Sequence, residues 1–165
     1  MFKLNRKVEY ALIALKHMFH KRPGELTTAK EISDTYGCSF DTIARVLQIL
    51  AHKNWLHSSH GATGGYVIVK DLSKMSFYQL SETLIGPLRL VKCLSGSCKI
   101  KSNCNIVSPV QVLNDRLVDV YQKLSVQEII ESEINPAAKR LQKNPSKSLK
   151  SEGLSQSINI KECNQ

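Results

Sequence analysis

Residues 28–69 carry two short amphipathic helical patterns with a glycine between them, then two β-prone runs around a second cluster of glycines. Few folds accommodate that order. Thr28-Ala29-Lys30-Glu31 is a capping box: the threonine hydroxyl can accept from the third backbone amide, and the glutamate can reach back to the first. It predicts a helix to about residue 36 with Ile32 inward. Gly37 can take the left-handed conformation that ends a helix, and Ser39 can cap the next one. In that next helix Ile43, Val46, Leu47 and Leu50 form the buried stripe, while Asp41, Arg45, Gln48 and His52 share the opposite face. Two helices joined by a glycine-containing turn of about three residues are the signature of a helix-turn-helix, although many helical hairpins share it. Residues 55–59 and 66–69 are the β-prone runs, and His60-Gly61-Ala62-Thr63-Gly64-Gly65 is the turn between them. Alone, those glycines mark only a tight hairpin. Directly after a helix-turn-helix they mark a wing, with the second helix set for the major groove of duplex DNA and the wing for an adjacent minor groove.

The flanking segments are helical. Leu4, Val8, Ala11, Leu12, Leu15 and Phe19 fall at helical spacing over residues 4–19. Glu9 and Ile13 lie one turn apart off that stripe, and an outward apolar residue beside a carboxylate marks a face that a partner can cover. Ser76-Phe77-Tyr78-Gln79 is a second capping box, opening a helix that Gly86-Pro87 ends after residue 85. Ile106, Val110, Leu113, Leu117, Val120 and Leu124 then repeat at alternating gaps of four and three. That heptad-type seam suits a helix packing on another helix, a symmetry mate ahead of an intramolecular neighbour. Ser125-Val126-Gln127-Glu128 caps a last short helix. The expected class is mainly α with a small β-hairpin. A winged helix-turn-helix DNA-binding domain spans 1–72, a polar loop and long dimerisation helix span 73–134, and a disordered basic tail spans 135–165, where large apolar residues are too few to pack.

Charge points to the same partner. The net charge of +9 is unevenly spread: residues 1–70 hold ten Lys/Arg against five Asp/Glu, 71–134 hold seven of each, and 135–165 hold six against two. A basic front and a basic tail around a neutral middle are an electrostatic footprint for nucleic acid. No apolar run approaches the roughly 18 residues of a membrane span, and the first residues lack a signal-peptide pattern, so a cytoplasmic protein without a membrane partner is expected. All five histidines lie in the first 70 residues, with no nucleophile–base pairing or phosphate-cradling loop, which argues against an enzyme.

The five cysteines are Cys38, Cys93, Cys98, Cys104 and Cys163. Three of them, Cys93, Cys98 and Cys104, fall within twelve residues of polar, loop-like chain that includes Gly96. In a reducing compartment such spacing reads as metal or redox chemistry ahead of structural disulfides. Thiolates are soft ligands suited to iron–sulfur clusters or zinc, and Lys92, Lys99 and Lys101 favour the thiolate form. Three ligands are one short of a closed zinc site. The same residues also fit a cluster-free thiol/disulfide sensor or a zinc-stabilised interaction module.

Three features together, the Lys3-Leu4…Tyr10-Ala11-Leu12 opening, the wing Ser59-His60-Gly61-Ala62-Thr63-Gly64-Gly65-Tyr66 and the cysteine triad, make residues 1–134 resemble the Rrf-type iron–sulfur winged-helix regulators, the IscR-, NsrR- and RirA-like proteins. The resemblance implies a homodimeric transcriptional regulator, a repressor, that binds palindromic operators in double-stranded DNA. It also implies an iron–sulfur cluster, 2Fe–2S or 4Fe–4S, whose response to iron, nitric oxide or redox state is coupled to DNA affinity. Carried over by position, the ligands are Cys93, Cys98 and Cys104, with the first gap one residue shorter than the family usually shows. One branch takes its fourth ligand from a histidine three residues after the third cysteine, where this chain has Val107. Another takes an acidic residue from the first helix of the partner subunit, where this chain has Glu9. Glu9 as that ligand and Glu9 as a solvated surface residue both stay open. Most members place an arginine before the first wing glycine. Here His60 precedes Gly61, and a neutral imidazole is drawn less strongly to the negative minor groove. Ser39, Asp41, Thr42 and Arg45 are expected at base edges, with arginine gripping guanine and aspartate accepting from cytosine. Lys3, Asn5, Lys7, Tyr10 and Thr28 are expected at phosphates, where contacts position the protein without reading sequence.

Overall fold

In the computed structural model, residues 4–61, 63–89 and 104–132 are described. Lys3, Cys93, Cys98 and the tail lie outside them. The side chain of Asn5 accepts from the Lys7 amide and starts helix α1 (Arg6–Phe19). Val8, Ala11 and Leu15 are buried as their spacing predicts, and Tyr10, Ala14 and Met18 widen the buried face. Leu4, expected at the head of that stripe, precedes the cap and is exposed.

Both bonds of the Thr28 capping box form ahead of helix α2 (Ala29–Tyr36), and Gly37, at φ 64°, ends it. Helix α3 (Phe40–His52) buries Ile43, Val46, Leu47 and Leu50, the four expected residues. Ser39 holds the N-cap position but caps no backbone amide; its hydroxyl accepts instead from the Thr42 hydroxyl at 3.3 Å. At the other end of α3, the Trp55 amide reaches back to the Leu50 carbonyl and the Asn54 amide to Ala51, with Asn54 left-handed at φ 57°. This is a Schellman closure, with Trp55 and Leu50 both buried beneath it. Asparagine tolerates the left-handed region, so no glycine is needed there.

The wing follows at once. Strands β1 (Leu56–Ser59) and β2 (Gly65–Ile68) pair antiparallel, from Leu56 opposite Ile68 to Ser59 opposite Gly65. The hairpin is tied to the segment before α2, because Thr27 and Tyr66 exchange both backbone hydrogen bonds at 2.9 Å. A β-carbon at Gly65 would stand 2.9 Å from the Thr27 carbonyl oxygen, so the close approach requires glycine.

A single 3-10 turn (Leu72–Lys74) leads to helix α4 (Phe77–Ile85), begun by the second capping box. Helices α5 (Val107–Lys123) and α6 (Val126–Glu131) follow. The Phe77 amide bonds the Leu124 carbonyl and the Val126 amide bonds that of Met75, both at 2.8 Å, which clips the starts of α4 and α6 together. Leu80 and Leu84 of α4 and Val126 and Ile130 of α6 join the buried residues of α1 and α3 in one hydrophobic core. Packing is therefore continuous across residue 72.

Helix α5 packs on α4 through one side only. Asn114, Leu117, Val118 and Tyr121 face Phe77, Ser81 and Ile85 of α4 across a cavity of about 480 Å³, and the Tyr121 ring meets Phe77 edge-on at 5.0 Å. Of the heptad seam, Leu117 faces that cavity and Leu124 packs on the core, whereas Ile106, Leu113 and Val120 are more than half exposed.

Candidate nucleic-acid interface

The recognition helix is seated through α2, and α2 is locked to α1 by a polar cluster. His17 Nε2 faces Glu31 Oε1 at 2.9 Å, and its Nδ1 lies 3.1 Å from the Tyr36 hydroxyl. A carboxylate only accepts, so Nε2 carries a hydrogen whatever the charge of the ring. Lys21 pairs with the same carboxylate oxygen and donates to the Leu26 carbonyl. Burial alone would raise the Glu31 carboxyl, but hydrogen bonds from Lys21, His17 and the Thr28 amide outweigh it and hold the group below its ordinary value.

On the outer face of α3, Asp41, Arg45 and Gln48 are exposed and Thr42 half-buried. With Ala44, and with Lys7 of α1, they line one depression of about 500 Å³. A cation beside a row of donors and acceptors is the arrangement for holding a phosphate while side chains reach base edges. Gln48 was not among the expected base readers; its place three residues after Arg45 is the signal, and glutamine can pair bidentately with adenine.

The residues expected at phosphates divide. Lys7 is half-buried at the edge of the depression and Asn5 is exposed. Asn5 already spends its carbonyl oxygen on the α1 cap, leaving its amide hydrogens to donate. Thr28 likewise accepts from Glu31 and keeps its hydroxyl proton. Tyr10 is a core residue, 8 % exposed, and its hydroxyl accepts from Arg6 at 3.4 Å. Arg6 itself, exposed at the start of α1, was not singled out by the sequence. Its bond to Tyr10 holds its charge firmly. At the wing, His60 and Gly61 are exposed, Gly61 has φ 107°, and the Gly64 amide closes the turn onto the Gly61 carbonyl at 3.0 Å.

Of the expected cluster ligands, two can be placed. Cys104 is a half-buried free thiol three residues ahead of Val107, where α5 begins. Glu9 is exposed on α1, its charge felt by Arg6. Among the described residues no three His, Cys, Asp or Glu side chains gather as a metal site. Also among the described residues, no helix is long and apolar enough to cross a membrane.

A helix-turn-helix with the polar face of its second helix outward and a glycine-turned wing beside it defines a winged-helix DNA-binding protein. The comparisons with known proteins narrow the class. The Rrf2 family, described as iron-dependent transcriptional regulators, matches residues 4–132. The HTH-type transcriptional regulator NsrR of Bacillus subtilis is 26 % identical over 120 residues, 70 % of this chain and 80 % of NsrR. Two solved structures share the fold. CymR, the global cysteine regulator of B. subtilis, has a TM-score of 0.62 at 19 % identity, covering 81 % of this chain and 100 % of CymR. IscR of T. potens has a TM-score of 0.55 at 16 % identity, covering 92 % and 94 %. The chain belongs to the Rrf2 family: it is a DNA-binding transcriptional regulator, not an enzyme.

Proposed function

We propose that this regulator is a homodimeric repressor that binds a palindromic operator and senses iron, nitric oxide or redox state through an iron–sulfur cluster. The observation that carries the reading is Cys104, the third thiol of the triad, set immediately before α5. A ligand at that point ties cluster chemistry to the helix whose uncovered apolar seam offers itself to a second copy.

Cys93, Cys98 and Cys104 would hold the cluster, and Glu9 of the second copy would complete it with a carboxylate. The donor set suits iron, three soft thiolates and one hard, weaker ligand. When bound, the cluster supplies iron that small oxidants and nitric oxide can reach. The remaining work belongs to the chain: α1 carries Glu9 on its outer face and packs its inner face on α3, so a change in what Glu9 holds bears on the seat of the recognition helix.

The test is iron and acid-labile sulfide per subunit, measured on protein purified without oxygen. Matched iron and sulfide are expected. Neither, with titratable thiols in their place, would hand sensing to disulfide chemistry, and zinc alone would make the loop a structural module. Glu9→Ala is expected to alter the spectrum, stability or reactivity of the cluster; an unchanged cluster would remove Glu9 from the ligand set.

A further inference from the structure

Phe40 is the first residue of α3, and its ring is 51 % exposed. Leaving that much aromatic surface in water gains nothing for folding. Some other exposed apolar side chains have an evident occupation. Tyr36, across the Gly37 turn, has its hydroxyl held by His17, and Leu113 and Val120 belong to the α5 seam. Phe40 has no polar atom to hold, and it stands on the element that reads DNA.

Its position on that element is specific. Residues at the N-terminal end of a recognition helix are those that meet base edges. At 100° per residue Phe40 shares an edge of α3 with Ala44, one turn on, beside the polar row of Asp41, Arg45 and Gln48. Ala44 lines the depression that also holds Lys7, so this apolar edge lies on the DNA-facing side, next to the cation expected at a phosphate. A phenylalanine there can neither donate nor accept. Within the major groove one natural base pair offers it a matching surface, since the 5-methyl group of thymine projects into the groove.

We propose that Phe40 is a specificity-determining residue whose ring lies against a thymine 5-methyl group in the operator. The inference rests on α3 being the recognition helix and adds an apolar reader to its polar ones.

The test uses the full chain and the duplex that it enriches from a random-sequence library. Each thymine is replaced in turn by deoxyuridine, which pairs identically but lacks the methyl group. One position in each half-site is expected to lose affinity, roughly fourfold, as for one buried methyl group. Phe40→Ala is expected to bind the thymine and deoxyuridine duplexes equally at that position. The ring is half in solvent, so the variant should fold, and the deoxyuridine scan of the unaltered protein needs no variant at all. Equal affinity for every deoxyuridine duplex, or discrimination that survives Phe40→Ala, would overturn the proposal. Arg45→Ala on the same duplexes separates the two levels. If it alone changes base preference, Phe40 is not a reader; if neither variant does, α3 is not the recognition helix.

Discussion

Glu31 holds three structural duties with one carboxylate. It accepts from the Thr28 amide to close the capping box of α2, and it pairs with both His17 and Lys21 of α1. Its side chain is about one-third exposed, so solvent screens the ion pairs and the cap supplies the larger part. Glu31→Ala is expected to cost about 1–2 kcal/mol in denaturant unfolding, whereas Glu31→Gln, which keeps an acceptor for Thr28, should cost less. The pH dependence separates charge from cap. The folded carboxyl titrates below its ordinary value of 4.5, so the ionic contribution is full above that value and is lost as pH falls through the lower folded one. The stability gap between wild type and Glu31→Gln should therefore shrink below pH 4.5, and a gap independent of pH would remove the ion pairs from the account. The capping box itself was legible in four consecutive residues, because both of its bonds are local. The pairing with His17 and Lys21 was not, since it depends on how α1 lies across α2.

At the scale of elements the same division between local and long-range order holds, and α5 shows it best. Its heptad seam reads in sequence as a face for a symmetry mate, and the side turned to α4 is an overlapping one that carries Asn114, Leu117, Val118 and Tyr121. Two adjoining faces of one helix are thus apolar, and periodicity alone cannot say which is covered within the chain. Leu113 on the open seam and Val112 on the far side are almost equally exposed, at 52 % and 54 %. A charge at either should be tolerated by the folded monomer. If the seam joins two copies, Leu113→Glu buries an unpaired carboxylate there and should raise the dimer dissociation constant by roughly a hundredfold or more, with Val112→Glu close to wild type. Sedimentation over a concentration series distinguishes them; a Leu113→Glu protein that stays as dimeric as wild type would place the interface elsewhere. The winged helix, by contrast, was legible almost residue for residue, because capping boxes, turn glycines and the buried stripe of α3 are short-range signals. The Schellman closure at Asn54 is not legible, because a left-handed asparagine leaves no glycine to read. In the interface, the polar row of α3 was visible from periodicity. Phe40 is hidden by lying between that row and the buried stripe, and the burial of the Tyr10 ring is hidden behind its polar hydroxyl.

For the whole molecule the consequence of a single core is coupling. Helix α1 presents Glu9 outward and Val8, Ala11 and Leu15 inward, and its inner face packs on α3, α4 and α6. Close-packed interiors have few soft modes, so a displacement of α1 by a ligand on its outer side is passed to the recognition helix and not absorbed between them. If a cluster bridges two copies through Glu9, cluster occupancy and operator binding draw on the same equilibrium. Linkage then requires reciprocity: the factor by which losing iron changes operator affinity must equal the factor by which operator changes the affinity for iron. Couplings of this kind typically amount to about 5–150-fold. The experiment titrates iron out of the anaerobically purified protein with a chelator, once with the selected operator duplex and once with a scrambled duplex of equal length and charge. Operator affinity of the iron-loaded and iron-free forms is measured separately at the same salt, because affinity for DNA falls steeply as salt rises. The operator is expected to move the chelator midpoint, relative to the scrambled duplex, by the square root of the ratio of those two affinities, because one operator is bound by a dimer that carries two clusters. A midpoint shift produced equally by both duplexes would reduce the effect to general electrostatics of a chain carrying +9, with no path from the outer face of α1 to the base-reading face of α3.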